Sequence, residues 1–308
     1  MTHLLCPPPL EKGETIGIIA PAGQLHDETR FLRGVGILQE MGFQVKFPQG
    51  LWPGKEYLAD SDDNRGAEFN RLIKDGEIKA LIAMRGGYGC LRMLDKIDIS
   101  LVAGNPKILL GFSDITILQN YLYEKTGLVS FHGPVVNSLC ETNKESLAIL
   151  YQCLTNKKPS SIYSPAIKVL REGPTVTAPV IGGNLASMVT FLGTRYDFPW
   201  DNKIVFLEDV NEPTYKIDRM LTQLKLAGKL DNIYGLILGD FSNSINRDTA
   251  EMVHFREMVW TRVLELCCDH REIPVWGNFP SGHSPDNLTF PLGAVAVMES
   301  GKNRLFFP

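Results

Sequence analysis

A serine lies where an apolar, strand-like stretch changes into a helical pattern. The stretch Lys107-Ile-Leu-Leu-Gly-Phe-Ser113-Asp-Ile-Thr begins as a buried strand and continues with helical spacing to Leu122. Between a parallel strand and a helix, a serine is exposed above the sheet edge, beside backbone N–H groups that no helical hydrogen bond uses. Ser113 is therefore a candidate nucleophile for a carbonyl group whose oxyanion those amides could hold. Because Ile115 stands where a Gly-x-Ser-x-Gly motif has its second glycine, helix capping by Ser113 or Asp114 is the alternative.

The C-terminal half of the chain contains a candidate base for this serine. A hydroxyl becomes a good nucleophile at neutral pH when a base takes its proton, and the base works best when a third group orients it. His283 lies in the stretch 281–293, whose Gly, Ser and Pro content indicates a loop rather than a core segment. His132 follows a predicted strand and is the competing candidate. The remaining histidines occupy positions typical of termini, loops or helix surfaces: His3, His26, His254 and His270.

A carboxylate that could orient the imidazole follows another apolar strand pattern. Glu208 stands directly after Ile204-Val-Phe-Leu, where a strand-terminal carboxylate could reach a histidine. Asp209 and Glu212 are close enough in sequence to compete for this role. A serine, a histidine and a glutamate together would form a hydrolytic triad.

Strands and helices alternate through the first half of the chain. The patterns predict strands at 14–20, 43–47, 80–84, 107–111 and 128–132, and helices at 28–41, 65–75, 91–97 and 115–122. Such alternation favours right-handed βαβ units and an α/β fold with a mainly parallel sheet. The site of such a sheet lies beyond the carboxyl ends of its strands. Both Ser113 and the glycine-rich turn Arg85-Gly-Gly-Tyr-Gly follow predicted strands, so both belong to that edge.

Composition changes between residues 155 and 177, where Lys, Pro, Ser and Gly accumulate. We interpret residues 158–176 as a linker between an N-terminal domain, 1–157, that carries the serine and a C-terminal domain, 177–308, that carries the glutamate and the histidine. In the second domain, the patterns predict strands near 204–207, 235–240, 275–279 and 294–298, and helices after residue 184, over 215–226 and over 257–269.

The overall composition is that of an ordinary globular protein with room for two domains, at 308 residues, 44% hydrophobic and 21% charged. The net charge of −4 gives no reason to expect nucleic acid or an anionic membrane as a partner. The six cysteines lack CxxC spacing, which argues against a zinc site or a disulfide scaffold, and we expect no metal and no cofactor. The N-terminus lacks a basic and apolar leader and no apolar run could span a bilayer, so we expect a cytoplasmic protein.

Several short motifs occur in the order found in the LD-carboxypeptidase family. They are Arg85-Gly-Gly-Tyr-Gly, Gly111-Phe-Ser-Asp-Ile-Thr, His132-Gly-Pro, Gly182-Gly-Asn-Leu, Leu207-Glu-Asp-Val-Asn-Glu-Pro with Asp218-Arg219, Gly282-His, and Pro291-Leu-Gly293. Each motif is weak alone. Together, from near Gly13 to near Val297, they make the chain resemble this family of serine peptidases, which also contains the microcin-immunity peptidases.

The resemblance implies a Ser–His–Glu triad, with Ser113 as nucleophile, His283 as base and then acid, and Glu208 orienting the imidazole. It implies an oxyanion hole formed by the backbone amides of Gly86 and Asp114, although Gly86 could instead be only a tight-turn residue. It also implies a doubly wound N-terminal α/β domain, a C-terminal domain of mixed strands and helices, an active site in the cleft between them, and a homodimer. The implied substrate is cytoplasmic murein tetrapeptide, whose terminal D-Ala would be removed by hydrolysis of the L,D-peptide bond to the diamino acid during peptidoglycan recycling.

A carboxypeptidase must also hold the free carboxylate beside the scissile bond. Arg85 is the cation nearest in sequence to the proposed oxyanion loop, and its forked guanidinium suits a carboxylate. An ion pair between Arg85 and a carboxylate of the protein itself is the alternative.

Two other functions remain open. A microcin-immunity-type peptidase, which cleaves peptidyl or aminoacyl nucleotide amides, tends by resemblance to carry a longer insertion with an aromatic stacking residue before the catalytic glutamate. Here the stretch between Leu185 and Glu208 is short and Trp200 is its only tryptophan, which favours murein peptide. From another class, a non-catalytic α/β protein could bind an anion or a peptide through the 85–89 loop, although the sequence lacks both Gly-x-Gly-x-x-Gly and a Walker motif there.

Overall fold

A computed structural model describes residues 4–156, 161–242, 250–267 and 272–308. The chain divides into two compact units, which we call the first unit (Met1–Lys157 with Leu288–Gly293) and the second unit (Lys158–Asn287 with Ala294–Pro308). His3 and His270 lie outside the described residues. Within the described ranges, no helix combines the length and the apolar character that crossing a membrane requires.

The first unit is built on a sheet whose strands are joined through helices. Up to residue 156 its elements are β1 (Thr15–Ile19), α1 (Glu28–Glu40), β2 (Gln44–Lys46), α2 (Asp62–Lys74), β3 (Ile78–Ala83), α3 (Cys90–Met93), α4 (Ile99–Gly104), β4 (Ile108–Gly111), α5 (Ile115–Thr126), β5 (Ser130–His132) and α6 (Lys144–Thr155), with 3₁₀ turns at Leu94–Lys96 and Val136–Glu141. These strands are parallel and follow the order β5-β4-β3-β1-β2. The predicted mainly parallel α/β sheet is confirmed. Because the strand order reverses between β1 and β3, a ligand site is expected beyond their carboxyl ends.

Local sequence accounts for these elements. The central strands β3 and β4 are runs of apolar residues that are buried along nearly their whole length, as parallel strands covered on both faces require. Helix α1 begins where the Asp27 side chain accepts a hydrogen bond from the Arg30 N–H group, and α2 begins in the same way at Ser61. After α1 the chain turns at Gly42, whose φ of +97° is accessible to glycine at little cost.

The rest of the chain contributes β6 (Ser161–Tyr163), β7 (Lys168–Arg171), β8 (Val176–Asn184), α7 (Leu185–Val189), β9 (Ile204–Val210), α8 (Thr214–Leu226), β10 (Gly235–Ser242), α9 (Ala250–Leu266), β11 (Val275–Gly277), β12 (Phe290–Leu292), β13 (Val295–Glu299) and β14 (Arg304–Phe306), with a 3₁₀ turn at Ser300–Lys302. All of these strands except β12 form the eight-stranded sheet of the second unit, in the order β6-β14-β13-β8-β9-β10-β11-β7. The strands from β8 to β11 are parallel and the outer ones are antiparallel. The predicted mixed character of this domain is confirmed.

The division of the chain differs from the prediction at two places. Strands β6 and β7 lie within residues 158–176, the predicted linker, where they form the two edges of the second sheet. Edge strands tolerate polar residues, which is why their composition resembled that of a linker. Strand β12 lies within the predicted second domain, yet it pairs antiparallel with β5 and completes the six-stranded sheet of the first unit. A three-residue strand carries too little pattern to reveal its partner.

Candidate active site

Ser113 occupies a tight turn between β4 and α5. Its φ is +62°, a conformation that costs an L-residue about 1–2 kcal/mol. A side chain at Gly111, the last residue of β4, would lie 2.7 Å from the side chain of Ile115, so the close approach of strand and helix requires a glycine there. The serine is partly exposed, whereas its neighbours in the turn are buried. The turn therefore has the strained strand-to-helix geometry of a nucleophile elbow.

The glycine-rich turn after β3 lies directly against this serine. A Cβ atom added to Gly86 would be 2.8 Å from the Oγ atom of Ser113, which is too close for any side chain. The carbonyl oxygen of Gly86 accepts a hydrogen bond of 3.2 Å from the Gly23 N–H group, in the loop after β1. The structure thus brings Gly86 and Ser113 together at the carboxyl edge of the sheet.

Asp114 does not cap the helix that it precedes. Its side chain makes no capping hydrogen bond to α5; instead, Oδ2 accepts a hydrogen bond of 2.8 Å from the N–H group of Cys90. The capping alternative is therefore wrong for this side chain. Burial raises the pKa of the Asp114 carboxyl to about 6, although hydrogen bonds from Cys90 and Gly89 and the charge of Arg65 act to lower it.

His283 and Glu208 form a close pair in the second unit. The Nδ1 atom of His283 lies 2.7 Å from Oε2 of Glu208, whose side chain has no exposed surface, whereas the histidine side chain keeps 18% exposure. Glu208 lies within β9, opposite Asn184 of β8. When Nδ1 carries the proton and donates a hydrogen bond to the carboxylate, Nε2 is the basic nitrogen of the ring.

The loop that carries His283 is fixed by hydrogen bonds from its own unit. Gly282, at a φ of +141°, has no room for a side chain, since a Cβ atom would lie 2.8 Å from Asp240 Cβ and 3.1 Å from Glu208 Oε2. The N–H group of Gly282 donates to Asn287 Oδ1 at 3.2 Å, and the Asp240 N–H group donates to the Ser281 carbonyl at 2.9 Å. Neither Asp240 nor Asn287 was predicted, because Asp240 contacts the loop through its backbone N–H group, which has no sequence signal, and no motif marks Asn287.

Charge around the histidine favours its protonated form. Burial acts to lower the pKa of His283, but the charge and hydrogen bond of Glu208, together with the charges of Asp209 and Asp240, raise it above its ordinary value. Asp209 itself is buried, and this burial, aided by the charge of Glu208, raises its pKa to about 7. Of the three carboxylates that raise the pKa of His283, Glu208 contributes most.

The competing candidates take other roles. His132 is fully buried, and its ring stacks on Phe290 with a centroid distance of 5.2 Å. Asp209 accepts hydrogen bonds from its own strand and from the start of α7 rather than from the imidazole. Glu212 forms an ion pair of 3.3 Å with Lys216. Glu208, by contrast, lies 2.7 Å from Nδ1 of His283.

One end of the Arg85 guanidinium is hydrogen-bonded within the first unit. Its Nη1 atom donates a hydrogen bond of 2.9 Å to the carbonyl oxygen of Gln24, and the side chain is half-buried. No group of three or more His, Cys, Asp or Glu side chains suited to a metal ion occurs in the part of the chain that the structure describes.

Two family models match the chain. The model of the LD-carboxypeptidase N-terminal domain matches residues 16–133, which include Gly86 and Ser113. The model of the LD-carboxypeptidase C-terminal domain matches residues 177–298, which include Glu208 and His283.

Relatives and solved structures match over nearly the full length. The chain is 33% identical to the "Probable murein peptide carboxypeptidase" of Bacillus subtilis (strain 168), covering 96% of this chain and 92% of that protein. It is 30% identical to the Escherichia coli "Microcin C7 self-immunity protein MccF", covering 98% of this chain and 95% of that protein. The crystal structure of an MccF-like protein from Bacillus anthracis superimposes with a TM-score of 0.86 at 27% identity, covering 98% and 99% of the two chains.

Proposed function

Because the chain belongs to the LD-carboxypeptidase family, we propose that it is a serine carboxypeptidase that removes the terminal D-Ala from murein tetrapeptide. The bond hydrolysed joins this D-Ala to the L-centre of the diamino acid. The contact of 2.7 Å between His283 and Glu208 carries the proposal, because a hydrolytic serine needs an oriented base whereas a simple binding protein does not. That contact argues against a non-catalytic α/β binding protein.

In the first half-reaction, Ser113 attacks the carbonyl carbon of the diamino acid. Its hydroxyl proton passes to Nε2 of His283, and Glu208 stabilises the resulting imidazolium through Nδ1. The tetrahedral intermediate then collapses, the C–N bond breaks, and the nitrogen of D-Ala leaves with the proton from His283. The tripeptide remains as an ester on Ser113.

In the second half-reaction, water replaces D-Ala. His283 takes a proton from water, the hydroxide attacks the ester carbonyl, and the serine oxygen leaves with the proton that His283 returns. The products are the free tripeptide and the regenerated enzyme.

We assign the oxyanion hole to the backbone amides of Gly86 and Asp114. A Cβ atom added at Gly86 would lie 2.8 Å from Ser113 Oγ. The absence of a side chain there supports this assignment, because it lets the backbone approach the reacting carbonyl. We assign the substrate carboxylate to Arg85. Its guanidinium has donors beyond the one used by Gln24, and charge-assisted hydrogen bonds suit a carboxylate.

The environment of Trp200 supports murein peptide over a nucleotide conjugate. The tryptophan is only 1% exposed and packs near Phe198, at a ring-centroid distance of 6.5 Å. A buried indole cannot stack on a nucleobase that enters from solvent. The burial of the one tryptophan in the stretch before Glu208 therefore favours murein peptide as the substrate.

The test compares two substrates and two enzymes. We expect the purified protein to release D-Ala from L-Ala-γ-D-Glu-meso-diaminopimelate-D-Ala, and Ser113→Ala to release none while keeping its circular dichroism spectrum. Preferential cleavage of an aminoacyl sulfamoyl adenosine by the wild-type protein would instead assign the microcin-type activity. Undiminished D-Ala release by Ser113→Ala would remove the nucleophile assignment.

By the same family resemblance, we extend the proposal to a cytoplasmic homodimer that acts in peptidoglycan recycling. Light scattering of the purified protein measures its mass, and cell fractionation measures its location. A monomer at micromolar concentration, or recovery outside the cytoplasmic fraction, would contradict this extension.

A further inference from the structure

Two buried charged side chains hold one peptide group at the end of the glycine-rich turn. This group joins Gly89 to Cys90, where α3 begins. Its carbonyl oxygen, on Gly89, accepts a hydrogen bond of 3.0 Å from Nη1 of Arg65. Its N–H group, on Cys90, donates a hydrogen bond of 2.8 Å to Oδ2 of Asp114. The positive charge of Arg65 thus binds the negative, carbonyl end of the peptide dipole, and the negative charge of Asp114 binds the positive, N–H end.

Both side chains are withdrawn from water. Asp114 is 2% exposed and the side chain of Arg65 has no exposed surface. Hydrogen bonds and the charge of Arg65 offset only part of the cost of burying Asp114, whose pKa is raised to about 6. Buried charges of this kind make the local geometry stiff, because any movement leaves one of them without its partners.

Arg65 connects this peptide group to the neighbouring loops at the same sheet edge. Besides the Gly89 carbonyl, it donates to the carbonyl oxygens of Pro21, in the loop after β1, and of Asp60, just before α2. Gly89 has a φ of +142°, and a Cβ atom there would lie 2.9 Å from Nη1 of Arg65. The guanidinium therefore occupies the space that only a glycine leaves free.

Asp114 stands next to Ser113 and is one of the two residues assigned to the oxyanion hole. Its side chain reaches the turn that carries the other, Gly86. The opposite end of that turn is tied by the hydrogen bond from Gly23 to the Gly86 carbonyl. One residue thus supplies an amide to the site and also anchors the loop that supplies the second amide.

We propose that Arg65 and Asp114 are positioning residues that clamp the Gly89–Cys90 peptide group and so fix the separation of the two oxyanion-binding amides beside Ser113. This inference rests on the proposed function, because it presupposes a nucleophilic serine. Neither side chain touches the reacting atoms. Their effect is on the stabilisation of the tetrahedral intermediate rather than on substrate binding.

The test uses Asp114→Ala, Asp114→Asn and Arg65→Lys, with Asp63→Asn as the matched control. Asp63 is an exposed acid of α2 whose carboxylate pairs with Lys96 at 2.9 Å, whereas Arg65 pairs with Asp62. We expect Asp114→Ala to lower kcat about 100-fold, the loss typical of a misplaced oxyanion donor, with KM changed less than about threefold. Asp114→Asn keeps an oxygen acceptor, so its kcat should be about tenfold higher than that of Asp114→Ala. Arg65→Lys, which lacks the fork, should lower kcat about tenfold.

A second readout separates positioning from general damage. A fluorophosphonate forms a P–O bond with Ser113 as its P–F bond breaks, fluoride leaves and the hydroxyl proton passes to His283. The phosphoryl oxygen of the tetrahedral adduct then occupies the oxyanion hole. We expect its rate of labelling to fall in parallel with kcat in the Asp114 and Arg65 variants, while Asp63→Asn labels at the wild-type rate. Circular dichroism and thermal unfolding identify any variant that does not fold, in which case Asp114→Asn and Arg65→Lys decide the question.

Three results overturn the inference in distinguishable ways. If the wild-type enzyme is active and folded Asp114→Ala matches it in both kcat and labelling rate, the positioning role is wrong and the proposed function stands. A wild-type protein that neither labels at Ser113 nor releases D-Ala overturns the proposed function and the clamp together. A rise in KM with unchanged kcat would assign Asp114 to substrate binding and also overturn the positioning role.

Discussion

The Nδ1 atom of His283 lies 2.7 Å from Oε2 of Glu208, a carboxylate with no exposed surface within the buried parallel strand β9. In a low-dielectric setting, this contact fixes the plane of the imidazole and selects the tautomer whose Nε2 is basic. The same contact raises the pKa of His283, so the charge state of Glu208 governs the pH at which the base is available.

Replacement of Glu208 by glutamine should therefore change both the rate and the pH profile. We expect Glu208→Gln to lower kcat by about 10⁴-fold, as loss of the orienting acid does in related triads. Because the carboxylate raises the pKa of His283, its removal should lower that pKa, and the acid limb of the kcat/KM profile should move to lower pH. The measurement is kcat/KM for D-Ala release between pH 5 and about 9. An unchanged acid limb would show that the ionisation that limits activity at low pH is not that of His283.

The two candidate histidines should respond differently to substitution. We expect His283→Ala to cost several orders of magnitude in kcat, because it removes the general base. His132→Ala should instead lower the free energy of unfolding by about 2–4 kcal/mol, because it removes a fully buried ring stacked on Phe290. Urea unfolding and single-turnover kinetics on both variants make the comparison. Interchanged losses would reverse the assignment of the base.

Gly86 should not tolerate even a methyl group. Gly86→Ala would place a Cβ atom 2.8 Å from Ser113 Oγ, so either the serine or the turn must move. We expect a loss in kcat of about 10²–10³-fold, comparable to removal of one oxyanion donor. Gly50→Ala is the matched control, since a Cβ atom there meets no atom within 4 Å. Equal activity of the two variants would show that Gly86 serves only the turn.

The strain at Ser113 should be measurable as stability. At a φ of +62°, alanine is strained as much as serine, whereas glycine is not. After allowance for the greater freedom of glycine in the unfolded chain, we expect the free energy of unfolding of Ser113→Gly to exceed that of Ser113→Ala by about 0.5–1 kcal/mol. Both variants should be inactive. Thermal or urea unfolding of the pair gives the difference, and a less stable glycine variant would mean that the turn is not strained.

Several features of the site follow from short stretches of sequence. The strand before Ser113, the helix after it and the glycine-rich turn at Arg85 are predictable because apolar periodicity and glycine act within a few residues. The order of strands and helices then places both turns at one sheet edge, since parallel strands must all end there. His283 and Glu208 were singled out on the same local grounds, and their pairing was one of several possibilities.

The tertiary structure decided which of these possibilities is realised. Glu208 rather than Asp209 meets the imidazole because alternate residues of a strand point to opposite sides. The Asp114 side chain reaches Cys90 instead of capping its own helix, and Arg65, which no motif marks, lies buried against the same peptide group. The short strand β12 joins a sheet that begins far back in the chain. Sequence alone determined the local elements and the candidate chemistry. These contacts instead link residues distant in sequence, and the tertiary structure selects them because burial makes other arrangements of the same side chains more costly.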